Sequence, residues 1–153
     1  AAMNISPGVK EKIKRIENTL IVSKALNIEN PKIALIAAKE KVSKKMIATL
    51  DAKEITDYYK DKNYIVEGPL ALDNAISRKS AEIKGLDGQI KGDADILIMP
   101  NIEAGNIFYK SLTYLSNSQI AGILVGAKVP IVITSRADNE ESKFLSIALA
   151  TLV

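Results

Sequence analysis

Residues 95–150 read DILIMPNIEAGNIFYKSLTYLSNSQIAGILVGAKVPIVITSRADNEESKFLSIALA, and this stretch predicts strand, helix, strand, strand and helix. The apolar run at 96–99 is typical of a strand, and Asn101 begins a helix that continues to about Leu115. Residues 135–138 follow the last apolar run and are predicted to open the final helix. In α/β proteins, polar residues between a strand and a helix are where anions bind. The stretch therefore predicts an α/β fold with a polar site at these corners.

Two apolar runs after the first helix, at 119–125 and 130–134, have the length of strands. Only residues 126–129 join them, and a parallel crossover needs a dozen or more residues, so we expect the two strands to pair antiparallel. Upstream, strands alternate with helices, which is typical of layered α/β folds. The predicted fold class is a three-layer α-β-α arrangement with a mixed, mostly parallel sheet.

The upstream elements are predicted from helix caps, chain breakers and apolar periodicity. Ser6 and Pro7 are typical of a helix N-cap and first helical position. The further predictions are a strand end at 1–5, a helix stop near Asn27, a strand at 32–38, an ambiguous segment at 43–50, a helix at 52–62, a strand at 64–66 that ends at 67–69, a mostly helical segment at 70–84 broken near Ser77, and a loop at 85–92.

Composition excludes several kinds of chemistry. The chain has no cysteine and no histidine, which removes thiol nucleophiles, the Ser-His-Asp triad and most transition-metal sites. We therefore predict no metal site, and catalysis is left to carboxylates, Lys, Arg, Ser, Tyr and backbone amides. The net charge of +3 is small and lysines alternate with acids, so we expect no nucleic-acid partner. No apolar run has the length of a membrane span, and the default compartment is the cytoplasm.

Several long motifs occur in one order along the chain. They are A-A-M-N (1–4), G-P-L-A-L-D-N (68–74), G-D-A-D-I (92–96), P-N-I-E-A-G-N-x-x-Y-K-S-L-T-Y (100–114), A-G-I-x-V-G-A-K (121–128) and P-I-V-x-T-S-R-A-D (130–138). Together they resemble the phosphate acetyl/butyryl transferase family, and in particular its phosphate butyryltransferase branch, over the whole chain. The resemblance implies the reaction acyl-CoA + phosphate = acyl phosphate + CoA, with a butyryl or similar short acyl group. The implied partners are a CoA thioester and inorganic phosphate, with no tightly bound cofactor.

The resemblance also implies domain organisation. Members of the family have about twice this length, with two domains around a cleft in an isocitrate/isopropylmalate dehydrogenase-like architecture. We expect residues 1–134 to form the α/β domain of the second half. Residues 135–153 are expected to form the active-site junction and a last helix, apolar on nearly every face from 144 to 153, that packs on the first domain. Such a fragment is expected to be inactive alone and to associate, most simply as a homodimer.

Arg136, Ser135 and Asp138 are the predicted catalytic residues. A guanidinium grips phosphate with two parallel hydrogen bonds, although Arg136 at a helix start can equally pair with Asp138 or Glu141. The resemblance places Ser135 in the active site, whereas its residue type also suits the N-cap of the last helix. Acetyltransferase relatives have an aspartate seven residues after the serine, where this chain has Ser142. Asp138 is therefore the first candidate for the proton acceptor, and Glu141 is the second.

A second group of candidates is predicted to bind substrate. Asn106 and Lys110 lie one turn apart near a helix start, where free amides favour anions. The alternative is an ordinary solvated face with Tyr109 and Tyr114 as half-buried packing residues. Gly68, Pro69, Asp73 and Glu141 complete the predicted substrate-binding set.

Other functions remain open at this point. A phosphate acetyltransferase would share the motifs, since acyl-chain length depends on the shape of a pocket wall. A non-catalytic α/β dimerisation or binding module is a second alternative. A decarboxylating dehydrogenase would need a carboxylate cluster for a metal and a nicotinamide site, and the sequence shows neither.

Overall fold

The computed structural model describes residues 4–153, so the strand end predicted at 1–5 lies outside the described residues in its first three positions. Helices and strands follow in the order α1 (Val9–Ala25), β1 (Lys32–Ile36), α2 (Ile47–Tyr59), β2 (Ile65–Leu70), α3 (Leu72–Ile76), α4 (Arg78–Ile83), β3 (Ile96–Ile98), α5 (Ile102–Leu115) and α6 (Glu140–Leu152). This order confirms the predicted α/β class. The helix predicted at 101–115 is confirmed as α5.

The three strands form one parallel sheet in the order β2-β1-β3. In the central strand β1, Ile33 lies opposite Val66 of β2 and Ile96 of β3. Successive side chains of a strand point to opposite faces, so Ile33 and Ala34 enter different buried clusters. Helices α1 and α2 pack on the Ile33 face, while α3 and the 86–94 loop pack on the Ala34 face. The sheet is therefore covered on both faces.

Strand β2 runs through Gly68 and Pro69 to Leu70, so the predicted strand end at 67–69 is wrong. Proline is tolerated in β2 because this strand lies at the edge of the sheet, where a missing N–H leaves no partner unpaired. Gly68 is packed tightly against β1. A Cβ at this position would lie 2.6 Å from the Leu35 Cβ and 2.8 Å from the Leu35 carbonyl oxygen. Gly68 is therefore required by the packing of β2 on β1.

Gly68→Ala is expected to lower the free energy of unfolding by about 1–3 kcal/mol, since the backbone of β1 must shift to admit the methyl group. Thermal unfolding followed by circular dichroism measures the loss. Gly122→Ala is the matched control, because a Cβ at Gly122 meets no described atom within 4 Å. Equal melting of the Gly68 variant and the wild type would contradict the packing argument.

Helix α1 begins at Val9, two residues later than the Ser6-Pro7 signal predicts. The Glu11 carboxylate accepts a hydrogen bond from the Gly8 N–H at 3.1 Å, which fixes Gly8 as the N-cap. The predicted break near Ser77 is confirmed. The Ser77 hydroxyl caps α4 by accepting from the Ser80 N–H at 3.3 Å.

The apolar runs at 119–125 and 130–134 do not form strands. One antiparallel bridge joins Leu124 and Ile131, with N–H to O=C distances of 2.8 and 3.0 Å. The antiparallel direction is confirmed at this bridge, but the predicted mixed sheet is wrong, because the strands of the sheet are all parallel. Ile131 and Ile133 are exposed, so this run lies on the surface of the described chain and not within its core.

Helix α6 begins at Glu140, so the prediction that residues 135–138 open it is wrong. Asn139 is the N-cap, because its Oδ1 accepts a hydrogen bond from the Ser142 N–H at 2.8 Å. Within the described chain α6 leaves Phe144 and Ile147 68% and 56% exposed, and the expected packing of this helix on a first domain stays a prediction. Within residues 4–153, no helix is both long and apolar enough to cross a membrane.

Candidate functional site

The site is built around a turn at residues 135–138 that packs against α5. Asn101 caps α5 through a 2.9 Å hydrogen bond from the Ala104 N–H to its Oδ1, and this cap fixes the start of the helix directly after β3. Helix α5 then carries Tyr109 and Lys110 to the turn. The sequence predicts Lys110 as a site residue but treats Tyr109 only as packing.

The Asp138 carboxylate holds the turn together and joins it to α5. Its Oδ2 accepts a 2.7 Å hydrogen bond from the Ser135 N–H, and its Oδ1 accepts a 2.6 Å hydrogen bond from the Tyr109 hydroxyl. The Asp138 N–H in turn donates to the Ser135 carbonyl at 3.1 Å. Ser135 is therefore a turn residue and not the cap of α6. Both carboxylate oxygens of Asp138 are occupied.

The charge states of this contact follow from its hydrogen bonds. Desolvation acts to raise the pKa of Asp138, but the hydrogen bonds from Tyr109 and Ser135, with the charges of Lys110 and Lys143, outweigh it and lower this pKa below its ordinary value. The hydrogen bond to Asp138 is the main cause that raises the pKa of Tyr109 to about 12, with desolvation second. At neutral pH the pair is therefore a carboxylate and a protonated phenol.

Two cationic side chains lie at this turn. The Lys110 ammonium stands 4.4 Å from the centroid of the Tyr109 ring, a cation–π contact. Arg136 is exposed, and within residues 4–153 it forms no ion pair, so the expected alternative of a pair with Asp138 or Glu141 is not found. A free guanidinium and an ammonium beside one turn favour an anionic ligand.

Two further candidates, Asn106 and Glu141, have exposed side chains. Asn106 lies one helical turn before Lys110 on α5, with an exposed side chain. The Glu141 Oε1 accepts a 2.6 Å hydrogen bond from the Gln119 side-chain amide. Glu141 thereby connects the first turn of α6 with the segment that follows α5.

Gly68, Pro69 and Asp73 lie on other elements than the turn and α5. They belong to β2 and α3, whereas α5 leaves from β3, and β1 separates the two edge strands. In the described part of the chain, no hydrogen bond or ion pair connects them with residues 135–138. The two sets of candidates are therefore not joined by a polar contact in the described part of the chain.

Asp73 belongs to a network of polar residues that the sequence analysis missed. It accepts a hydrogen bond from the Ser80 hydroxyl and lies 3.0 Å from the Lys84 ammonium, and these two contacts, in that order, lower its pKa. The fully buried Asn74 donates to Glu40, which Lys84 also approaches at 3.3 Å. This network connects α3 and α4 with the segment after β1, so Asp73 has a structural role beside its predicted one.

A cavity of about 630 Å³ opens at the amino ends of the strands. Its walls include Pro31 and Ile65, which lie at the starts of β1 and β2, and none of the predicted site residues lines it. In parallel α/β sheets ligands bind at the carboxyl ends of the strands, so this cavity is not where the fold class predicts a ligand. Among residues 4–153, no cluster of three or more acidic residues is arranged to hold a metal ion.

Sequence comparison relates the chain to acyltransferases. Residues 1–151 match the family described as phosphate acetyl/butaryl transferase. The phosphate butyryltransferase of Clostridium acetobutylicum is 50% identical to this chain over 99% of the chain and 52% of its own length. The phosphate acetyltransferase of Thermotoga maritima is 44% identical over 98% of the chain and 52% of its own length. The chain thus spans about half the length of the curated relatives it matches.

Structural comparison agrees with the sequence match. The crystal structure of a branched-chain phosphotransacylase from Enterococcus faecalis V583 superimposes with a TM-score of 0.93 at 44% identity. The match covers 99% of this chain and 55% of that chain. The resemblance carried by the motifs is therefore confirmed by sequence and by fold, and the chain belongs to the phosphate acetyl/butaryl transferase family.

Proposed function

We propose that the protein containing this chain catalyses acyl-CoA + phosphate = acyl phosphate + CoA, with a butyryl or similar short acyl group. The observation that carries the proposal is the match of residues 1–151 to the phosphate acetyl/butaryl transferase family. CoA thioester and phosphate are substrates, and no tightly bound cofactor takes part. In this reaction a phosphate oxygen attacks the thioester carbonyl carbon. The carbon–sulfur bond then breaks, and sulfur leaves with the electron pair as the thiolate of CoA.

In this proposal the 135–138 turn receives the phosphate. Arg136 binds two phosphate oxygens through its planar fork, and Lys110 adds a second positive charge. Both cations also stabilise the negative charge that develops on the oxygen of the attacked carbonyl. Ser135 contacts phosphate or the thioester carbonyl through its hydroxyl. We assign Ser135 no covalent role here, since this chain has no histidine to remove its proton.

Asp138 could act in two ways, as a proton acceptor or as a residue that orients the turn. As a proton acceptor it would take the proton of the CoA thiol in the reverse reaction. A carboxylate with a lowered pKa is a weak base for a thiol whose pKa is about 8.5. Both of its oxygens already accept hydrogen bonds from Ser135 and Tyr109. The geometry therefore favours an orienting role, and the proton-acceptor role of Asp138 or Glu141 stays a prediction.

Asp138→Asn separates the two roles, because it keeps the shape of the side chain and removes its charge. We expect kcat to fall about tenfold or more from misplacement of the turn, while the acidic limb of the pH–rate profile persists. A base must be deprotonated, so a base with a lowered pKa would give a limb at low pH that the variant lacks. Loss of that limb in the variant would make Asp138 the proton acceptor.

The acyl-chain specificity is tested on the full-length protein. Purified protein is incubated with phosphate and acetyl-, butyryl- or branched-chain acyl-CoA, and both acyl phosphate and free thiol are measured. We expect the highest kcat/KM with butyryl-CoA or a branched substrate of similar size. A preference for acetyl-CoA would instead support the phosphate acetyltransferase alternative. Absence of acyl phosphate with every substrate would leave the non-catalytic binding module.

We also propose that residues 135–153 form the junction with a second domain of an isocitrate/isopropylmalate dehydrogenase-like architecture. In support, the buried clusters and the side chains packed on them lie between Val9 and Ile98, whereas α6 exposes Phe144 and Ile147. Exposed apolar side chains of this kind also favour a homodimer.

The CoA substrate favours the cytoplasm. Residues 1–153 alone are expected to lack activity, because an open site loses substrate positioning.

A further inference from the structure

Tyr109 makes a contact that the proposed chemistry does not yet use. Within residues 4–153, its hydroxyl provides the one hydrogen bond that reaches residues 135–138 from outside the turn. The other hydrogen bonds of the turn run between Ser135, Ala137 and Asp138 themselves. The local bonds define the shape of the turn. Its position relative to α5 depends on the Tyr109–Asp138 contact.

This contact has the strength that a positioning role requires. The donor–acceptor distance is 2.6 Å, and the acceptor is an ionised carboxylate, which makes the bond charge-assisted. The residues it joins are 29 positions apart in the sequence, so it is not a by-product of local geometry. The other hydrogen-bond partner of the Asp138 carboxylate is the N–H of Ser135, the residue directly before Arg136. A shift of Asp138 would therefore move the backbone that carries Arg136.

Packing alone does not explain the hydroxyl. The Tyr109 ring is half-buried and holds the Lys110 ammonium at 4.4 Å, which a phenylalanine ring would also do. The hydroxyl adds only the bond to Asp138. The same side chain thus touches Lys110 through its ring and Asp138 through its oxygen, and it sets the spacing between α5 and the turn.

We propose that Tyr109 is a positioning residue of the transferase site, which holds Arg136 and Lys110 at the separation that binds phosphate by fixing Asp138. This inference rests on the proposed function, because it assigns phosphate as the ligand of the turn. Tyr109 does not touch the reacting atoms. It acts through Asp138 on the backbone of Ser135 and Arg136.

The test compares Tyr109→Phe with Tyr114→Phe in the full-length protein. Tyr114→Phe is the matched control, because it lies on the same helix and its side chain is exposed. In Tyr109→Phe we expect kcat/KM for phosphate to fall about 10- to 100-fold, while KM for acyl-CoA changes by less than about twofold. The control keeps wild-type values. Wild-type kinetics in Tyr109→Phe, or an equal rise in KM for both substrates, would overturn the inference.

A double-mutant cycle with Asp138→Asn shows whether Tyr109 acts through Asp138. If it does, the double variant is no slower than Asp138→Asn alone. If the two losses multiply, the two residues act independently and the inference fails.

Binding of inorganic phosphate, measured by calorimetry, separates this inference from the proposed function. Tyr109→Phe is expected to weaken phosphate binding about tenfold or more, and Tyr114→Phe to leave it unchanged. If the wild type makes no acyl phosphate but this pattern holds, the proposed function fails and the positioning role stands. If the wild type is active and both variants bind phosphate as it does, the positioning role fails and the proposed function stands.

Discussion

Arg136→Lys is expected to lower kcat for acyl-phosphate formation by about 10²–10³-fold, the scale for loss of one transition-state donor. The substitution keeps the positive charge but removes the planar fork, so lysine meets phosphate as a point charge. The structure sharpens this expectation, since Arg136 is exposed and, within residues 4–153, unpaired. Its loss therefore breaks no ion pair of the folded chain. Steady-state kinetics on the full-length protein measure the effect.

Arg78→Lys is the matched control for this experiment. Arg78 is also exposed, but it lies on α4, and among residues 4–153 no hydrogen bond or ion pair joins it to the 135–138 turn. We expect it to keep wild-type kcat and thermal stability. Unchanged turnover in a well-folded Arg136→Lys variant would remove Arg136 from the site.

Asp51→Ala is expected to destabilise the chain by about 3–5 kcal/mol, the cost of leaving a buried charge without its partner. The Lys12 ammonium lies 2.6 Å from the Asp51 carboxylate, and the two side chains are only 6% and 17% exposed. This pair joins α1 with α2 on the Ile33 face of the sheet. Removing Asp51 leaves the Lys12 ammonium buried in the interface between the two helices. Unfolding in urea measures the loss.

Two further variants complete this prediction. Glu17→Ala removes the partner of Lys14 in an ion pair that is 69% and 49% exposed, and it is expected to cost less than about 1 kcal/mol. Lys12→Met with Asp51→Leu replaces both charges by apolar groups and is expected to recover most of the stability. Equal effects of Asp51→Ala and Glu17→Ala would show that burial of the first pair has no energetic consequence.

Much of the fold was predictable, because its signals are local. The helix at 101–115 is predicted by Asn101, because an asparagine before an apolar periodic run is a typical helix N-cap. The break at Ser77 has the same origin. The strands predicted at 119–125 and 130–134 did not form, because an apolar run becomes a strand only when another strand pairs with it. Among the described residues, pairing there is limited to the Leu124–Ile131 bridge.

The candidate site was predictable only in part. The motifs single out Ser135, Arg136 and Lys110, since their residue types suit phosphate binding and their order resembles that of a known family. The sequence offers no sign that Tyr109 and Asp138 touch. They lie on different elements, and the partner of a tyrosine hydroxyl depends on how those elements pack. The position of Tyr109 directly before Lys110 is the one local sign that Tyr109 lies at the candidate site.

By itself, the sequence determined the α/β class, the family and the types of residue available for chemistry. The class follows from periodicity and helix caps, the family from the resemblance of the motifs, and the available residue types from the absence of histidine and cysteine. Only the tertiary structure decided that Gly68 packs against Leu35, that Lys12 pairs with Asp51, and that Asp138 is held by Tyr109. Each of these depends on where the chain folds back on itself. A hydrogen bond or ion pair forms only when packing brings the two atoms within about 3 Å.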